Sequence, residues 1–142
     1  MPYINNSRGR TRIALEGSVI WGLPAPRPKE KPGEDHGYSY GVIYANDAAA
    51  RVMLAGGPQK YPAGSVIVRE KLSRPEATKP ELLAAMIKRA PGFNPAGGDW
   101  EFLLFDGALT RVRERQKKGS CLECHASQAA RDFVYPPPRP RN

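Results

Sequence analysis

Cys121-Leu122-Glu123-Cys124-His125 lies near the end of a 142-residue chain, with only 17 residues after it. That position, behind a long strand-rich stretch, decides the fold. Two thiols three residues apart sit on neighbouring turns of a helix start, so both reach the vinyl groups of one porphyrin. C-x-x-C-H is the attachment signature of a c-type haem, and the adjacent imidazole is the expected proximal ligand to iron. These are the only two cysteines in the chain, and His36 is the only other histidine.

Other uses of the motif fit less well. A redox dithiol needs a thioredoxin-like βαβ setting, whereas the segment after His125 is short and ends in prolines. A zinc site needs four ligands. Only His36 and carboxylates are available to complete one, and adjacent Cys124 and His125 meet one tetrahedral ion awkwardly. A disulfide across two residues would be a strained or redox-active loop.

Working back from the motif, Trp100-Glu-Phe-Leu-Leu-Phe105 reads as a strand. Trp100, Phe102 and Leu104 lie on one face, and Leu103 and Phe105 on the other. A turn at Asp106-Gly107 leads to a hairpin partner over 108–114. Asn94-Pro-Ala-Gly-Gly98 is a turn. Residues 82–89 suit helix or strand by pattern, and the flanking Pro80 and Pro91-Gly92 favour a short strand. Ser65 to Glu70 is a strand after the turn at Tyr61-Pro-Ala-Gly64. Asn46 caps a helix from Asp47 to Leu54, stopped by Gly56-Gly57. Tyr38 to Tyr44 is a strand with Tyr38, Tyr40 and Tyr44 on one face. Residues 13–22 hold a first short element, and residues 1–12 form a loose basic arm.

The expected fold is therefore α+β and mainly antiparallel: a sandwich or barrel-like sheet of four or five strands, then a haem-bearing C-terminal helix running to about Phe133. The organisation is a basic, Pro-rich arm and loop over residues 1–35, a haem c domain over 36–135 and a Pro-rich tail over 136–142. Small electron-transfer cytochromes c put the motif near the N-terminus and take an axial Met from downstream, but no Met follows His125 here. Four-helix cytochromes are excluded by the Pro, Gly and β-rich segments.

Composition agrees with one globular domain: 40% hydrophobic and 25% charged residues, with 15 prolines and 14 glycines that oppose a mostly helical chain. No apolar run is long enough to span a membrane. Haem c is attached after export in bacteria, so the expected location is periplasmic or otherwise exported, with the leader peptide absent from this chain. The net charge of +8 invites a nucleic-acid reading, but no nucleic-acid motif accompanies it. The densest basic run is Arg111, Arg113, Arg115, Lys117 and Lys118, broken by Glu114. It is a solvated face, a partner for haem propionates, or a dock for an acidic redox partner.

Several blocks in order carry a resemblance: Tyr61-Pro-Ala-Gly-Ser-Val-Ile-Val-Arg-Glu70, Met86-Ile-Lys-Arg-Ala-Pro-Gly92, Gly98-Asp-Trp-Glu-Phe102, the C-x-x-C-H motif and Arg131-Asp-Phe-Val-Tyr135. Together they resemble the cytochrome P-460 / cytochrome c′-beta family over about residues 38–135. The resemblance implies an antiparallel β fold holding one haem c, often in a homodimer paired through the sheet. It also implies one of two chemistries. P-460 members oxidise hydroxylamine with a lysine cross-linked to the haem. Members of the c′-beta type lack the cross-link, bind nitric oxide in an apolar pocket and are not clearly enzymes.

The distal side decides between them. Lys60, Lys71 and Lys88 are the cross-link candidates. In the Ser65–Glu70 strand the corresponding polar position is Arg69, which cannot form the amine cross-link. Each lysine is expected in solvent, so a ligand-binding or electron-transfer protein is favoured over an enzyme. Met53 or Met86 is a possible distal axial ligand, which would make a six-coordinate iron suited to electron transfer; the alternative for each is core filling. Glu70, Glu81 and Glu101 are the nearest carboxylates for proton transfer, each read as solvated.

Overall fold

In the computed structural model, the residues described are 4–5, 11–15, 18–22, 43–55, 60–71, 81–108 and 111–135. His36, Tyr38, Tyr40, the Gly56-Gly57 stop and the 136–142 tail lie outside them.

The strands follow one another in space as they do in sequence. They are β1 (Ile4–Asn5), β2 (Thr11–Leu15), β3 (Ser18–Gly22), β4 (Ile43–Ala45), β5 (Val66–Lys71), β6 (Leu82–Lys88), β7 (Trp100–Asp106) and β8 (Val112–Gln116). They form one antiparallel meander in the order β1 to β8. The α+β reading holds, with five of these strands, β4 to β8, matching the expected sheet. The strand count was low, because β1 to β3 extend the same sheet. Ile4–Asn5 and Thr11–Leu15 pair with each other, so part of the expected loose arm is strand.

Register explains the two sheet faces. Met86 pairs with Phe102, Ala84 with Leu104 and Lys88 with Trp100 across β6 and β7. Side chains alternate along each strand. Tyr44, Val66, Val68, Leu83, Ala85, Ile87, Leu103 and Phe105 therefore form one buried cluster. Ala45, Ile67, Met86, Trp100 and Phe102 form the other, and it is this face that receives the helices.

Helix α1 (Asp47–Ala55) begins as its sequence requires. Asn46 Oδ1 accepts from Ala49 N at 3.1 Å, the capping bond, and from Val66 N at 3.0 Å. Its amide donates to Gly64 O at 2.7 Å. One side chain thus caps the helix and joins it to the start of β5. Ala49 and Met53 turn inward from α1 onto the sheet.

Two boundaries differ from expectation. The hairpin partner of β7 is Val112–Gln116 rather than 108–114, and the register shifts between Leu104 and Phe105. Such a bulge places an extra residue on one strand and moves the pairing along. The C-terminal helix is also shorter than expected. Helix α2 spans only Ser120–His125, and a 3-10 segment continues over Ala126–Arg131. Gln128 is non-helical at φ −107°, and Asp132 and Phe133 both have positive φ, at 55° and 66°.

Candidate haem site

The site is built where the chain leaves β8. Gly119, at φ 110°, turns the backbone into α2 in a conformation that L side chains rarely adopt. Glu123 N donates to Gly119 O at 2.9 Å to close the first turn. At the other end, the Cys124 carbonyl accepts from Tyr135 Oη at 2.9 Å and from Ser127 Oγ at 3.0 Å. These side-chain donors add to the Ala126 N–H, which also reaches the Cys124 carbonyl at the helix end.

Cys121 and Cys124 are free thiols, both half-buried on α2. Cys121 belongs to the periphery of the helix-side core with Leu122 and Phe133. Burial pushes the Cys121 thiol pKa up, and the Glu114 and Cys124 charges add to the effect.

His125 is the best-defined part of the site. Its Nδ1 lies 2.7 Å from the Phe133 carbonyl oxygen. A carbonyl can only accept, so Nδ1 carries the hydrogen and, in the neutral ring, Nε2 carries the lone pair. This is the arrangement by which proteins present an imidazole to a metal: the second nitrogen is tied to a backbone acceptor, which sets the tautomer and increases ligand basicity. The ring packs against Phe102 at 5.2 Å and against Tyr135 edge-on at 5.1 Å. The site therefore rests on the middle of β7.

The Phe133 carbonyl is held in place by its neighbour. Asp132 Oδ2 accepts from Lys88 Nζ at 2.6 Å and from Tyr61 N at 2.9 Å, while its backbone oxygen accepts from Trp100 Nε1 at 2.8 Å. Lys88 also lies 5.0 Å over the Trp100 ring. Burial and the Asp132 carboxylate push the Tyr61 hydroxyl pKa up to about 12. Gly98 makes room for this segment. A Cβ there would fall 2.8 Å from Phe133 Cδ2 and 3.0 Å from Asp132 Oδ1.

The predicted site residues divide clearly. Cys121, Cys124 and His125 come together on one helix. Met53 and Met86 are both buried in the helix-side cluster to which Cys121 and Leu122 also belong. Lys60 is exposed, as expected, and the Lys71 side chain lies outside the described residues. Lys88 corrects the expectation of solvent exposure: its side chain is 11% exposed and bound to an Asp132 that is 5% exposed. Glu81 is exposed, whereas Glu70 is buried. Glu101 is held by Arg89 at 2.6 Å and Arg115 at 3.0 Å, so neither Glu70 nor Glu101 is the solvated carboxylate expected. Asp132 was missed altogether.

The donor set fits a haem of the c type: two free thiols at i and i+3, followed by an imidazole whose Nε2 carries the lone pair. Among the described residues, no group of three or more His, Cys, Asp or Glu side chains is placed to hold a bare metal ion. No helix among them is long and apolar enough to cross a membrane.

A helix bearing two thiols and an imidazole, packed with α1 on one face of an antiparallel sheet, is the setting in which a haem of the c type would be held by a β-structure. The sequence comparison gives the family. The chain belongs to the cytochrome P460 family, whose profile matches residues 25–136. No curated protein matches the chain.

Proposed function

We propose that this protein is a periplasmic monohaem cytochrome of the c′-beta type. It carries one haem c through thioether bonds at Cys121 and Cys124, with His125 as proximal ligand. Its role is to bind nitric oxide or a similar small ligand, or to pass single electrons. The observation that carries this reading is the 2.7 Å contact between His125 Nδ1 and the Phe133 carbonyl, directly after the two thiols. When bound, the haem supplies an iron centre for ligand binding and one-electron chemistry. The chain's own residues orient the imidazole, shield it between Phe102 and Tyr135, and fix its tautomer.

Two observations favour this reading over hydroxylamine oxidation by a lysine-linked haem. Lys88 is committed to a buried ion pair with Asp132, and removing one partner of such a pair costs about 3–5 kcal/mol. Lys60 is exposed. For electron exchange, the exposed Arg111, Arg113, Lys117 and Lys118 on and beside β8 offer an acidic partner a surface that leads directly into α2.

The test is the optical spectrum of the dithionite-reduced protein before and after nitric oxide. A five-coordinate spectrum that shifts with the gas is the expected result. Sharp bands indifferent to gas would instead assign Met53 or Met86 to the iron. A strongly red-shifted ferrous Soret band would mean a lysine cross-link and overturn the c′-beta reading.

A further inference from the structure

The sequence reading gives Asp132 no role in the site and considers Lys88 only as a cross-link candidate, yet the fold ties the two together. Asp132 and Phe133 are consecutive non-glycine residues with positive φ. Each such residue is strained and persists only where its surroundings over-determine it. The surroundings here are specific. Lys88 and Tyr61 grip the Asp132 carboxylate, and Trp100 grips its carbonyl. The next carbonyl along the chain, that of Phe133, is the one that accepts from His125 Nδ1.

An ordinary stabilising ion pair explains neither the strain nor the location. The pair joins β6 to the one backbone segment that orients the imidazole. Its anchors come from three other parts of the chain, β6, β7 and the loop at Tyr61, so the segment is fixed independently of α2. The carbonyl is therefore held to a position set by the sheet, and the histidine must conform to it.

We infer that Lys88 and Asp132 are positioning residues for the proximal ligand. They hold the Phe133 carbonyl against His125 Nδ1 and thereby set how strongly the imidazole donates to iron. A well-aligned N–H···O bond raises imidazole basicity, which favours the ferric state. Loosening the carbonyl weakens that bond and favours the ferrous state. This inference rests on His125 being the iron ligand, as proposed above.

The test uses the full chain loaded with haem. The variants are Asp132→Asn, which tolerates positive φ but removes the charge, and Lys88→Gln, which removes the partner. Lys88→Arg is the conservative rescue, and Glu101→Gln is a control that disrupts a different ion pair. The readouts are midpoint potential and the iron–histidine stretching frequency of the ferrous five-coordinate form. Asp132→Asn and Lys88→Gln are expected to raise the potential and lower the stretching frequency. A tenfold shift of the ferric-to-ferrous balance would appear as about 59 mV for a one-electron couple. Lys88→Arg returns both values toward wild type, and Glu101→Gln leaves them unchanged.

If Asp132→Asn fails to fold, Lys88→Gln carries the same comparison. Variants that melt earlier but keep wild-type potential and stretching frequency would reduce the pair to a structural role and overturn the inference. A wild-type protein with no iron–histidine band, and a His125→Ala variant with an unchanged spectrum, would instead overturn the assignment of His125.

Discussion

Substituting Gly98 by Ala probes the seat of the haem-bearing segment directly. Two penalties add at this position. Gly98 has φ +66°, a left-handed conformation that costs an L residue about 1–2 kcal/mol. The added Cβ would also meet Phe133 Cδ2 at 2.8 Å and Asp132 Oδ1 at 3.0 Å. Asp132 does not move easily, because it is bound through both its carboxylate and its carbonyl. Overpacking of this kind costs about 1–3 kcal/mol, so the sum is about 2–5 kcal/mol. Gly64 separates the two terms. It has φ +90°, and a Cβ there meets nothing within 4 Å, so Gly64→Ala carries only the backbone term. The assay is urea denaturation of the haem-loaded protein, with both variants compared in the wild-type and Phe133→Ala backgrounds. Gly98→Ala is expected to cost clearly more than Gly64→Ala, and the excess is expected to shrink when Phe133 is truncated. Equal losses for the two glycines in the wild-type background would refute the proposed close packing of Phe133 on Gly98.

Other consequences are tested more briefly. Trp100→Phe removes the donor to the Asp132 carbonyl from a fully buried position; denaturant titration is expected to show a loss of about 1–3 kcal/mol. Asn46→Ala deletes the α1 cap together with the bonds to Val66 N and Gly64 O, with an expected cost of about 1–3 kcal/mol in the same titration. Tyr61 keeps its proton to about pH 12 in the folded protein but loses it near pH 10 when unfolded. The unfolded state then binds fewer protons between those values, so stability falls as pH rises through about 10 to 12. Tyr61→Phe removes that part of the alkaline loss, and stability measured at pH 9 and pH 11 in both proteins checks the sign.

Local signals made much of the sheet legible. The alternation in Trp100–Phe105 separated the two faces, because successive side chains of a strand point to opposite sides, and here each side has its own core cluster. Asn46 was readable as a cap for the same reason: its bond is made within three residues. The short element after Pro80 was resolved as strand by its flanking prolines.

The departures have a shared cause in long-range contacts. Nothing between Ala126 and Phe133 is a glycine or proline, so the helix had no local reason to stop. The α-helix gives way to a 3-10 segment after His125, and that segment ends at Arg131, where Lys88, Tyr61 and Trp100, all more than 30 residues away in sequence, bind Asp132 in a left-handed conformation. Lys88 was expected in solvent because a lysine is rarely buried unless paired, and its partner lies 44 residues downstream. The Arg131-Asp-Phe-Val-Tyr135 block carried the available signal, since a polar residue set among apolar ones just after the motif invites the question of its partner. Glu101 was misjudged in the same way, since its arginines come from the chain on either side of β7.

The most direct test of the account is acidified-acetone extraction of the protein produced with haem-attachment machinery, followed by the spectrum of each fraction. Thioether bonds at Cys121 and Cys124 predict that the haem stays with the polypeptide. Haem released into the acetone, or a polypeptide that never acquires any, would contradict the covalent haem c site on which the account stands.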